Sequence, residues 1–210
     1  MNKLGDLSCN EFLTELASAA PAPGGGGGAA MAGALAAALA SMVANLTIGK
    51  EKFADREPEV KELLKQAEAE RVRLLTLVDE DAAVFNSFMS CYKLPKTTDE
   101  EKDARTAAIR AAAKQAATVP LNIARSSFAV LKLADRLVVS GNPGVITDGA
   151  CSGLLARAAL RCAEYNVRIN LGLTKDEAWN AQATADLKQL LADAEALETH
   201  LLAVTDKALQ

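Results

Sequence analysis

The sequence is poor in the side chains on which many enzymes rely. It has one histidine, His200, in 210 residues, so a Ser-His-Asp triad or a zinc site of Cys/His type lacks its parts. No metal is therefore expected. The four cysteines (Cys9, Cys91, Cys151, Cys162) form no CxxC pair and read as reduced small hydrophobes in a cytoplasmic protein. Aromatic residues make up only 4% of a chain that is 50% hydrophobic, and alanine fills much of the difference, as in closely packed helices. An excess of positive charge is also missing. A net charge of −4 and the lack of any basic block exclude nucleic acid as the main partner. The opening MNKLGDLSCNEF lacks the apolar core of a signal peptide.

Charge is absent altogether from Leu16 to Gly49. The run is long enough to raise the question of a membrane span. Pro21, Pro23 and the five glycines Gly24 to Gly28 spoil its first third, and the remainder is mostly alanine with polar Ser41, Asn45 and Thr47. A helix buried on all sides in a soluble bundle or dimer is the better reading, with no membrane. Consecutive glycines cost backbone entropy and add no packing, so they belong where the backbone itself is used. The expectation is a glycine loop that presents N–H groups at the start of a helix running from about Gly28 to Ile48.

The rest of the chain is punctuated as helices. Ser8 and Glu11 form a capping box for a first helix that Pro21 and Pro23 end. Gly49 suits the left-handed position past a helix end, with Lys50 and Lys52 beside it. Pro58 opens a helical pattern from Glu59 to Ser90, and Leu94-Pro95 stops it. Thr98 with Glu101 opens a fourth helix that Pro120 is expected to kink or split. Ser140 to Gly144 is a second loop, followed by an uncharged helical stretch, and Thr174 with Glu177 caps a last helix. One all-α unit over residues 1–210 is predicted, a bundle of six or seven helices around the Ala/Gly-rich one.

Two aspartates stand out. Among Asp79, Glu80 and Asp81, only Asp81 has large apolar residues at every helical offset: Leu77, Val78, Val84 and Phe85, with Leu74 and Phe88 a further turn away, whereas the neighbours of Asp79 and Glu80 include threonine and alanine. It should point into an apolar face, where burial raises its pKa. Asp148 is the only charge between Arg136 and Arg157. Asn166 and Asn170 share a helix face, so their amides can converge on one ligand. Lys50 follows the apolar helix directly.

The stretch from Leu7 to Lys50 resembles the opening of the cyclodeaminase/cyclohydrolase family of tetrahydrofolate enzymes. DEDAAVFNSFMSCYKLPK, TDEEKDAR, GNPGVITD and NVRIN follow in that family's order. The resemblance implies an all-α homodimer with a folate pocket and no metal or other cofactor. Its motifs fall on Pro23, Gly24, Gly25, Gly26 and Gly27, and on Lys50, Asp81, Asn142, Asp148, Asn166 and Asn170. Cyclodeaminase-type members commonly carry a serine after three glycines, whereas this chain has Gly24 to Gly28 and then alanine; the all-glycine version, with VANLTIGK, is more similar to the stand-alone cyclohydrolases. The implied reaction is hydrolysis of 5,10-methenyltetrahydrofolate to 10-formyltetrahydrofolate, with Asp81, Asp148 and Lys50 in catalytic roles and the other positions binding substrate. The alternatives are an ammonia-releasing formimidoyltetrahydrofolate cyclodeaminase and a non-catalytic folate-binding helical dimer.

Overall fold

Small side chains let three helices pack closely against a fourth. The computed structural model describes residues 3–210 and contains α1 (Cys9–Leu16), α2 (Gly24–Asn45), α3 (Glu57–Cys91), α4 (Asp99–Ser140), α5 (Ile146–Thr174) and α6 (Glu177–Ala208). Three short 3₁₀ turns, Leu4–Asp6, Glu51–Phe53 and Pro143–Val145, complete it, and there is no strand among the described residues. The all-α expectation holds, with six α-helices.

The Ala-rich α2 lies in the middle, against α3, α4 and α5. Ala30, Ala36, Ala37, Ala40 and Ala44 are fully buried. At Gly33 a Cβ would stand 3.0 Å from both Leu74 of α3 and Ser127 of α4, so a larger residue there would push two helices away. The buried Ser152 hydroxyl of α5 donates to the Ala36 carbonyl at 2.7 Å, which fixes α5 alongside α2. Leu74, Ile123, Leu131, Leu160 and Leu201 form the main core, and Val43, Val60, Leu63 and Leu137 a second cluster at the far end of α2.

Several local expectations hold. Both capping boxes form, at Ser8/Glu11 and Thr98/Glu101. Gly49 has φ +74°, the left-handed region that favours glycine. Three expectations are corrected. The glycines are no loop: Gly24 already opens α2, with the Gly27 N–H bonded to the Pro23 carbonyl at 3.1 Å. Their absent side chains suit them to the crowded first turn of a helix as well as to a loop. Pro120 does not split α4, which runs unbroken over 42 residues. Thr174 ends α5 instead of capping α6, because the Asp176 carboxylate accepts the Trp179 N–H and serves as the cap. Among the described residues, α2 alone is long and apolar enough to cross a membrane, and 61% of its most apolar window is buried inside the bundle.

Candidate active site

The sequence-predicted residues fall into two groups at opposite ends of α2. At the N-terminal end, Asp81, Val84, Phe85, Phe88, Ala116, Asn166 and Asn170 line a cavity of about 90 Å³. Helical spacing sorts the three neighbouring acids as expected. Asp79 accepts the Gly5 N–H at 3.3 Å, Glu80 pairs with Arg73 at 3.3 Å on the surface, and Asp81 faces the cavity. Burial among apolar groups pushes the Asp81 carboxyl up to about 6, with only weak opposition from the Gly27 N–H, whose own bond goes to Pro23.

The first turn of α2 covers this carboxylate. A Cβ on Gly26 would lie 2.6 Å from the Asp81 Cγ, and one on Gly27 would lie 2.8 Å from Pro23 Cβ. Gly25 faces the Asn166 amide, its Cβ position 3.5 Å from Nδ2. Gly24 has φ +56° and turns the chain out of the preceding prolines into the helix. Asn166 and Asn170 do share a face. The Asn166 Nδ2 donates to the Cys162 carbonyl at 2.9 Å, and the Asn170 Nδ2 donates to the carbonyls of Ala116 (2.9 Å) and Asn166 (2.8 Å). The bond to Ala116 holds α5 against α4, and the two within α5 help fix both amides at the cavity wall. Neither Oδ1 accepts a hydrogen bond among the described residues, so both oxygens remain for a ligand.

The second group lies at the other end. Asn142 binds there structurally: its N–H donates to Thr47 Oγ1 at 2.8 Å, its Nδ2 to the Leu46 carbonyl at 3.1 Å, and its Oδ1 accepts from the Gly144 N–H at 2.9 Å. It ties the α4–α5 corner to the end of α2. Lys50 is exposed just beyond, at the start of the Glu51–Phe53 turn. Asp148 is half-buried in the first turn of α5, and its carboxylate makes no cap, hydrogen bond or ion pair among the described residues. About 27 Å of α5, at 1.5 Å per residue, separates it from Asn166. The two aspartates therefore do not meet within one chain.

Sequence reasoning missed the α4 wall. Ala116 lines the cavity and receives the Asn170 amide, yet an isolated alanine in an Ala-rich helix carries no signal. Phe85 and Phe88 were legible, being one and two helical turns from Asp81. Among the described residues no group of three or more His, Cys, Asp or Glu side chains is placed to hold a metal ion.

Residues 8–189 match the model of the family described as formiminotransferase-cyclodeaminase. The chain is 43% identical to a methenyltetrahydrofolate cyclohydrolase of Methylorubrum extorquens, over 94% of this chain and 95% of that protein. It is 34% identical to a formimidoyltransferase-cyclodeaminase of Sus scrofa over 87% of this chain, which spans only 34% of that longer protein. The crystal structure of a formiminotetrahydrofolate cyclodeaminase from Thermotoga maritima superposes with a TM-score of 0.89 at 28% identity, covering 99% of this chain and all of that one. The chain belongs to the formiminotransferase-cyclodeaminase family.

Proposed function

We propose that this chain is a methenyltetrahydrofolate cyclohydrolase, adding water to 5,10-methenyltetrahydrofolate and releasing 10-formyltetrahydrofolate. The full-length likeness to the Methylorubrum cyclohydrolase supports the substrate. The observation that carries the chemistry is the Asp81 carboxylate, held in an apolar cavity with its pKa at about 6. Such a group is ionised near neutrality yet basic enough to accept a proton. Its charge complements the amidinium cation of the substrate. As water attacks the bridging carbon, Asp81 takes one of its protons. It then returns that proton to N5 as the C–N5 bond breaks, and the remaining hydroxyl proton leaves as the formyl carbonyl forms. The step needs no metal and no cofactor, the tetrahydrofolate derivative and water being its reactants.

The substrate does not fit one chain. A cavity of about 90 Å³ is well below the roughly 300–1,000 Å³ of pockets that enclose a ligand of this size. The missing wall is a second copy of this protein. Leu35, Ala38, Met42 and Leu46 of α2 and Cys151, Leu154, Ala158, Cys162, Tyr165 and Ile169 of the adjacent α5 form one exposed apolar face at helical spacing, on which Ile169 is 72% exposed. A face of this kind marks a protein interface. A twofold axis near the middle of α2 would set two copies antiparallel. The end carrying Lys50, Asn142 and Asp148 in one copy would then meet the end carrying Asp81 in the other. In that arrangement Asp148, free of partners in its own chain, receives the amino and ring N–H donors of the pterin. Lys50 polarises the adduct, Asn166 and Asn170 take the pterin edge, and the backbone from Pro23 to Gly27 forms the wall.

A cyclodeaminase reading is favoured by the likeness to the Thermotoga enzyme over both whole chains and by the 34% identity to the Sus scrofa protein. Absorbance of the methenyl chromophore decides between the two. Loss of signal from methenyltetrahydrofolate faster than in buffer supports the cyclohydrolase. Growth of signal from the formimino compound with ammonia release supports the cyclodeaminase, and neither change would leave a binding protein. The four free cysteines suit a reducing cytoplasm.

A further inference from the structure

The apolar wall beside Asp81 continues past the cavity. Along α3, Asp81, Phe85, Phe88 and Tyr92 follow one another at helical spacing. Along the neighbouring α4, the half-buried Ala116, Ala112, Ile109 and Arg105 do the same in the opposite chain direction. The two rows meet at both ends. Ala116 lines the cavity with Asp81, and the Arg105 guanidinium stands 5.5 Å over the Tyr92 ring, its Nη2 donating to the Tyr92 carbonyl at 3.3 Å. Phe88 meets Tyr92 edge to face, with centroids 5.3 Å apart. A cation thus closes an aromatic strip that starts at the candidate base, about 16 Å away along the helix.

Arg105 is incompletely satisfied. Its Nε is buried and has no hydrogen-bond partner among the described residues, a costly state for a charged donor. The acidic first turn of α4 does not supply one: Glu101 is engaged with Thr98, and Asp99 pairs with Lys102 at 2.7 Å. A carboxylate is the partner that the fork of such a guanidinium fits.

We propose that Arg105 binds the α-carboxylate of the substrate's glutamyl tail. The inference rests on the folate reading. Folate runs from its reactive bridge through a flat aminobenzoyl ring to a glutamate. With the bridge at Asp81, the ring lies on Phe85 and Phe88, and the glutamate reaches the Tyr92–Arg105 end. Lys93 and Lys96, exposed in the turn beyond Tyr92, carry the right charge for further glutamates. Arg105 is a specificity residue and takes no part in the proton transfers.

The test compares kcat/KM for methenyltetrahydrofolate with that for methenyltetrahydropteroate, the same ring system without glutamate. Wild type is expected to favour the glutamate-bearing compound by about 10- to 100-fold, the range for hydrogen bonds to a charged group. Arg105→Gln should bring that ratio to within a few-fold of one, acting through KM, and Arg105→Lys should fall between, keeping charge without the fork. A purely structural role would lower both substrates together and leave the ratio intact. An unchanged ratio in Arg105→Gln overturns the proposal. So does a wild type without preference, a measurement that needs no variant to fold. A wild type that turns over neither compound removes the folate reading, and the inference with it.

Discussion

Gly26 leaves the Asp81 carboxylate the room it occupies: a Cβ on the glycine would stand 2.6 Å from the carboxyl carbon. Two residues later the same helical turn is permissive, since a Cβ on Gly28 would meet only Leu16, at 3.9 Å. The pair gives a differential prediction. Gly26→Ala should lower turnover at least 100-fold and destabilise the fold by about 1–3 kcal/mol through overpacking. Gly28→Ala should keep turnover and gain roughly 0.5–1 kcal/mol from helix propensity. Thermal melts and the chromophore assay read both. Equal behaviour of the two variants would mean that the turn does not shape the carboxylate's surroundings.

Asp81 also sets a pH dependence. Its folded pKa, about 6, lies above the 3.8 of an ordinary aspartate, so the folded state favours the protonated form. The stability it contributes is complete below about pH 4, falls as pH rises through 6 and is level above. A shift of this size corresponds to about 3 kcal/mol. Asp81→Asn cannot titrate. Urea unfolding at fixed protein concentration should therefore show wild type losing stability relative to Asp81→Asn between pH 4 and 6. Activity runs the other way. The wild-type rate should climb through an apparent pKa near 6, and Asp81→Asn should lose 100-fold or more across the range. Parallel stability curves for the two proteins would count against a buried carboxylate.

The position of Asp81 was legible because helical spacing is local: its apolar neighbours follow from sequence offsets alone. The helix starts at Ser8 and Thr98 and the left-handed turn at Gly49 were legible for the same reason, each depending on residues within one turn, although α2 stops at Asn45, short of the expected Ile48. The glycines misled. A run without side chains serves a loop and a crowded helical turn equally, and only the neighbouring α3, which brings Asp81 against Gly26, decides between them. The bonds of Asn142 to Leu46 and Thr47 were not legible, because those partners are far from it in sequence. The separation of Asp148 from Asp81 depends on the antiparallel course of α2 and α5, which no local pattern encodes.

The exposed apolar face yields a third prediction. Leu35 lies near the middle of α2, is 51% exposed and takes no part in the cavity. A charge placed there would sit close to the proposed twofold axis and face its own copy. Leu35→Glu should convert a dimer to a monomer in light scattering while far-ultraviolet circular dichroism stays helical. Turnover should fall with dimer content and recover as protein concentration rises. A fully active monomer would show that one chain contains the whole site.

Mixing inactive variants tests the composite site directly. Asp81→Asn and Asp148→Asn should each be inactive as homodimers, since every site contains the altered residue. Co-refolding the two in equal amounts gives heterodimers in half of the assemblies. If one site takes Asp81 from one copy and Asp148 from the other, each heterodimer contains one site with both substitutions and one with neither. About a quarter of wild-type activity should then return. Were both aspartates of a site supplied by the same chain, every site in the mixture would still carry a substitution. Mixing would then restore nothing. The 27 Å or so of α5 between Asp148 and the cavity wall favours recovery, because no side chain spans that distance.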